Sequence, residues 1–179
     1  MDITWPMHPQ PNNQGSSVRT STGDWLTALR RYLVVIAVGN LAWEFLQLPL
    51  YTIWYEGSSQ EIVFAVLHCT GGDLLITATV LLGTLLITAN GRWPHSRYAI
   101  VAAIAILGGI AYTIFSEWLN TEIRGSWAYT DLMPQLPLIG TGIAPLVQWI
   151  VVPLAAFWWA YRPFAGGTQP KRASTRSLP

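Results

Sequence analysis

Four stretches of this chain, residues 32–54, 61–89, 98–118 and 143–161, are predominantly apolar and long enough to cross a bilayer. A transmembrane helix needs about 20 such residues. In hydrocarbon every backbone N–H and C=O must be satisfied within its own segment, so runs of this kind become helices. Charged residues make up 11% of the chain, against about 25% in soluble domains. The expected fold is an all-α integral membrane protein, a four-transmembrane-helix bundle.

The flanks differ from this core. Residues 1–24 are polar and rich in Pro, Asn, Gln, Ser and Gly, too poor in apolar side chains to fold alone, and are expected to be a disordered tail. They lack the basic start and short apolar core of a secretory signal. Residues 25–161 form the transmembrane domain, and residues 162–179 a polar tail carrying Lys171, Arg172 and Arg176.

Basic residues orient the bundle. Arg19, Arg30, Arg31, Arg92, Arg97, Arg162, Lys171, Arg172 and Arg176 fall on one side of a four-span topology and only Arg124 on the other. The side rich in Lys and Arg is normally the cytoplasmic one, so both termini are expected in the cytoplasm. In a bacterium the protein would lie in the inner membrane. Pro49, near the outer end of the first span, is expected to kink it. Ala102, Ala105 and Gly109 make a small-residue stripe suited to close helix contact.

Within this frame Glu44 stands out, because a carboxyl deep in an apolar run costs several kcal/mol unless it is protonated, paired or facing a polar cavity. Asn40, Glu44, Gln47 and Tyr51 follow at i, i+4, i+7 and i+11, on one helical face. Asp73 lies at similar depth on the second span, and His68 further out. Glu117 and Asn120 end the third span, and Gln148 sits in the outer half of the fourth. The 121–142 connection, with Trp127 and Tyr129, is long enough to be a lid or binding loop. These positions predict a polar cavity opening outward, floored by Glu44 and Asp73 and covered by the Trp127–Tyr129 segment.

Three chemistries would use such a site. In acid–base work on a lipid or isoprenoid-like substrate, Glu44 would be the general acid, Asp73 or Glu117 the base and His68 a proton shuttle. Trp43 and Trp127 would offer π faces to a cationic intermediate, while Asn40, Gln47, Asn120, Tyr129 and Gln148 would bind substrate. A metal held by Glu44, His68, Asp73 and Glu117 is a second option, although no tight ligand motif such as Glu-x-x-His is present. A proton or solute path is disfavoured, since the inner half is almost wholly Leu, Ile, Val and Ala.

Each element also has a plainer reading. Glu44 could be a structural acid bonded to His68, Gln47 or a carbonyl, Glu117 could pair with Arg124 at the interface, and the aromatics could be belt residues. On that reading the chain is a non-catalytic accessory subunit of a membrane complex. Its partners would be membrane lipid and a second copy or another membrane protein.

Several classes are excluded. One cysteine, Cys69, cannot form an internal disulfide or a paired-thiol redox centre. A bis-histidine haem needs two membrane histidines, and His8 and His95 fall outside the spans. No phosphate loop or dinucleotide fingerprint occurs, so neither haem nor nucleotide is expected. A net charge of +1 argues against nucleic acid as a partner. Glu44-x-x-Gln47 on one helix followed by Asp73 on the next resembles small VanZ-like membrane proteins over the first two spans. The basic residue, paired acids and asparagine expected on that second helix are missing, so the resemblance implies no function.

Overall fold

The computed structural model describes residues 17–164, with side chains from residue 23. The expectations for residues 1–16 and 165–179 lie outside this range. The chain forms α1 (Ser17–Gln47), α2 (Ile53–Glu56), α3 (Ser59–Ile87), α4 (Tyr98–Trp118) and α5 (Ile143–Tyr161). Among the described residues there is no strand, only two isolated bridges. Four segments are long and apolar enough to span a membrane: Gly23–Leu50, Ser59–Ile87, Tyr98–Ile123 and Ile143–Tyr161. The bundle therefore has the multi-pass membrane architecture expected, while α1 begins at Ser17, inside the segment expected to be disordered through residue 24.

Local chemistry sets the boundaries. Pro49 ends α1 instead of kinking it: the helix stops at Gln47 and tightens into a 3-10 turn, Leu48–Leu50. Proline offers no N–H to continue the ladder. Ser58 opens α3 with a capping box, its Oγ accepting from the Glu61 N–H while the Glu61 carboxylate accepts from the Ser58 N–H. At the far end of α4 the Asn120 amide and Thr121 hydroxyl donate to the carbonyls of Ser116 and Glu117, at 2.8 Å each. Side chains inserted into the ladder widen it, and Leu119–Ile123 continues α4 as a π turn.

The long helices pack in a ring in the order α1, α3, α4, α5, and neither diagonal pair approaches closely along its backbone. The apolar core occupies the half of the bundle nearest the termini, where Tyr32, Ile36, Leu81, Val101, Ala105, Val152 and Phe157 meet. Trp93, in the α3–α4 connection, plugs that end and stacks on Tyr98. At the same end Asp24 meets His95 at 2.9 Å and Arg162 lies over Trp158 at 4.4 Å. Outward faces carry Leu46, Phe64, Leu75, Ile87 and Leu107 exposed, a surface suited to lipid rather than water.

Close approach depends on Gly109, where a Cβ would stand 2.1 Å from Trp149 Cε3. Gly71 has nothing within 4 Å of that position. Thermal unfolding in detergent should therefore separate them. Gly109→Ala should destabilise by about 1–3 kcal/mol through overpacking. Gly71→Ala should be neutral or stabilising by about 0.5–1 kcal/mol, the helical gain of alanine over glycine. Equal shifts would contradict the contact.

Candidate functional site

Outside the apolar core the helices are joined by polar side chains. Gln148 of α5 is buried, and its amide nitrogen reaches Asn40 Oδ1 at 3.2 Å, Glu44 Oε1 at 3.1 Å and Asp73 Oδ2 at 2.9 Å. It thereby bridges α1 and α3, crossing the α3–α5 diagonal that the backbones leave open. Gln47 Nε2 donates to Glu44 Oε1 at 3.0 Å and to Gln148 Oε1 at 3.4 Å. An amide nitrogen has two protons, and Gln148 has three acceptors within reach. The protons of Gln47 and Gln148 together match the four oxygens they reach, and Gln47 Oε1 is left buried without a donor, a vacancy that a carboxyl O–H or a bound donor can fill.

Because Glu44 Oε1 and Asp73 Oδ2 both lie on one nitrogen, at 3.1 and 2.9 Å, they are at most 6.0 Å apart. Among the described residues the only ion pair is His95 with Asp24, so no cation sits against Glu44, Asp73 or Glu117. Three carboxyls thus face a common space in which Arg124, the basic side chain of the lining, pairs with none of them. That space is a partly open cavity of about 350 Å³ lined by all four long helices and the α4–α5 connection. Small-molecule pockets begin at about 300 Å³.

The wall at the end away from the termini is built by the connection after α4. Tyr129 pairs with Tyr51 in an isolated antiparallel bridge, with Thr52 N–H donating to Ala128 O and Thr130 N–H to Leu50 O, both at 3.0 Å. The Tyr129 hydroxyl donates to Glu117 Oε2 and accepts from the Gly142 N–H at 3.1 Å. Trp127 lines the cavity, its indole N–H turned toward Glu117 but short of hydrogen-bond geometry. Burial and the neighbouring Glu117 carboxylate push the Tyr129 phenol well above its ordinary value of 10.0. Tyr51 is shifted in the same direction, first by burial and then by Glu117.

The structure brings together most of the residues singled out by sequence. Glu44, Gln47, His68, Asp73, Glu117, Asn120, Trp127 and Gln148 line the cavity, with Asn40 and Tyr129 bonded to members of that lining. Trp43 is not brought there: it packs against the apolar core, its position following directly from being one residue, about 100° of helix, from Glu44. His68 reaches the cavity only at its rim, exposed and stacked on Phe64 at 5.4 Å, with no hydrogen bond to an acid. Glu117 bonds Tyr129 and makes no ion pair with Arg124. No group of three His, Cys, Asp or Glu among the described residues is arranged to hold a metal. Sequence reading missed Tyr112 and Ser116 as lining residues, although their four-residue steps to Asn120 put all three on one face.

Compared with known proteins, the chain matches no protein-family model, no curated protein and no solved structure. The likeness of Glu44, Gln47 and Asp73 to VanZ-like proteins is therefore not carried into function.

Two measurements probe this geometry. Gln148→Leu removes the shared donor and should lower stability by about 1–3 kcal/mol, whereas Gln148 variants that retain the amide should lose less; a neutral Gln148→Leu would contradict the bridge. Tyr129→Phe should cost about 1 kcal/mol at neutral pH. A phenol held protonated in the folded state contributes stability that is complete below the unfolded value, about 10, and is lost as pH rises above it. The Tm gap between wild type and Tyr129→Phe should thus stay constant to about pH 10 and close above it. A gap already closing near pH 7 would contradict the assignment.

Proposed function

We propose that this chain is a membrane-embedded protein with an outward-facing acidic site that acts on a lipid-like substrate by acid–base chemistry. The observation that carries this reading is the pair Glu44 and Asp73, held on one Gln148 amide at the wall of the cavity. A carboxyl that carries its proton can donate while an ionised neighbour accepts, and the two lie close enough to serve one reacting group. Glu117, fixed by Tyr129, offers a third carboxyl on the α4 side. Asn40, Gln47 and Gln148 orient these acids, and Trp127 and Asn120 complete the wall. His68 at the rim is suited to exchange protons with the surroundings rather than with the acids directly.

The outward direction rests on charge. Five of the ten Lys and Arg residues, Arg30, Arg31, Arg92, Arg97 and Arg162, belong to the end where Trp93, His95 and Trp158 gather, and Arg124 belongs to the cavity end. By the positive-inside rule this distribution supports cytoplasmic termini and a cavity in the outer half.

A second reading is favoured by the same hydrogen bonds. A polar cluster that pins α1, α3 and α5 would serve an accessory subunit equally well, its bound partner being another membrane protein. Native mass spectrometry of the protein released from lipid nanodiscs distinguishes the two. For the enzymatic reading, wild type and Glu44→Gln should both remain folded, and the variant should retain a lipid-like mass that wild type turns over or releases. A clean apo monomer in both would sink it. A stable complex with another protein, unchanged in Glu44→Gln, would establish the accessory reading instead.

A further inference from the structure

The cavity has a side entrance, and its lining says what enters. On α3, Val80, Ile76, Gly72 and His68 follow at four-residue intervals along one face, and on α4 so do Gly108, Tyr112, Ser116 and Asn120. The two rows face each other. At the inner end they touch, because a Cβ on Gly108 would lie 2.9 Å from Val80 Cγ1. Every later member of both rows lines the cavity. His68 and Tyr112 are exposed on the bundle surface, and a Cβ at Gly72 would meet nothing within 4 Å. The α3–α4 seam is thus closed at Val80–Gly108 and open from Ile76 outward, facing the lipid-exposed perimeter.

The interior is chemically one-sided. Among the described residues no cation pairs with Glu44, Asp73 or Glu117. Gln47, 6% exposed and part of the lining, uses its amide nitrogen on Glu44 and Gln148, which leaves its Oε1 buried with no donor. That vacancy calls for a hydrogen-bond donor, and the acids without an ion-pair partner call for a positive one. Tyr51, Tyr112, Trp127 and Trp149 add aromatic surface to the same wall, which also suits a cation. Arg124 is the exception: it lines the cavity from the outer connection, exposed and without an acid partner.

We infer that the site takes a lipid whose head group ends in a primary ammonium, admitted sideways through the open part of the α3–α4 seam. The ammonium donates to Glu44, Asp73 and Gln47 Oε1, the acyl chain remains in the bilayer between Gly72 and Ser116, and a phosphate in the head group lies toward Arg124. This inference rests on the lipid-site reading and adds the class of head group and the route.

The test uses two probes that share a chain and a phosphate and differ in the ammonium, 1-oleoyl lysophosphatidylethanolamine and 1-oleoyl lysophosphatidylglycerol. Retention of each by the full-length protein is read by native mass spectrometry from maltoside micelles. Wild type should retain the ethanolamine lipid about tenfold better, a difference of about 1.4 kcal/mol. Asp73→Asn, which keeps an acceptor for Gln148, should bring the ratio to within about twofold of unity. Gly72→Leu, built into open space, should lower retention of both lipids. Equal retention by wild type, or a preference unchanged in Asp73→Asn, would overturn the head-group assignment; undiminished retention by a folded Gly72→Leu would overturn the route. If a co-purifying endogenous lipid is present but neither probe displaces it selectively, the ammonium assignment falls while the lipid site stands. If no lipid of any kind is retained by wild type or by Glu44→Gln, both fall together.

Discussion

The half of this bundle away from its termini depends on the side chain of Gln148. In an apolar surround an unpaired polar group costs several kcal/mol, so acceptors buried on neighbouring helices must find a common donor. Here one amide from α5 meets Asn40 and Glu44 of α1 and Asp73 of α3. That requirement fixes the rotation of α1 and α3 about their own axes, because only one face of each carries the acceptors. It also fixes the polar cluster at the centre of the ring, where the backbones of α3 and α5 stay apart.

The two halves of the molecule are held by different forces. Toward the termini, contact is apolar and close, with Gly39 against Val152 and Gly109 against Trp149. Such packing leaves no space for solvent or ligand. Beyond Gly109 the helices are linked by directional bonds, which hold positions without filling volume, and a cavity of about 350 Å³ remains. Its wall at the end away from the termini follows from the way two helices end. Pro49 stops α1, and the Pro49 and Leu50 carbonyls then accept from Thr130. The π turn after α4 leads the chain back over the opening, where Tyr129 closes onto Glu117.

Charge gives this space its chemical character. Salt bridges are absent from it among the described residues, and the acids are supported by amides and a phenol. Amides and phenols orient a carboxyl without neutralising it, so the site keeps a demand for protons or for a positive ligand. A lysine at any of these positions would remove that demand. The open seam between α3 and α4 brings the same acids toward the apolar perimeter of the bundle.

Much of this was legible in the sequence because the bilayer leaves few choices. Run length and apolar content determined four spans, and the third and fourth helices run over the predicted residues, 98–118 and 143–161. The cost of burying a carboxyl marked Glu44, and helical periodicity gathered Asn40 and Gln47 to the same face. Other features were not local. Periodicity could not say that Trp43 joins the core, that His68 stays at the rim, or that Glu117 takes Tyr129 rather than Arg124. Nor could it say that Gln148 sits on three acceptors at once, since those acceptors lie 75 to 108 residues away along the chain. The sequence by itself determined which segments cross the apolar layer, because hydrocarbon length and backbone hydrogen bonding act on each segment alone. Only the tertiary structure decided which polar groups share a donor and where the bundle opens, because those depend on the rotation and approach of helices that no single segment controls.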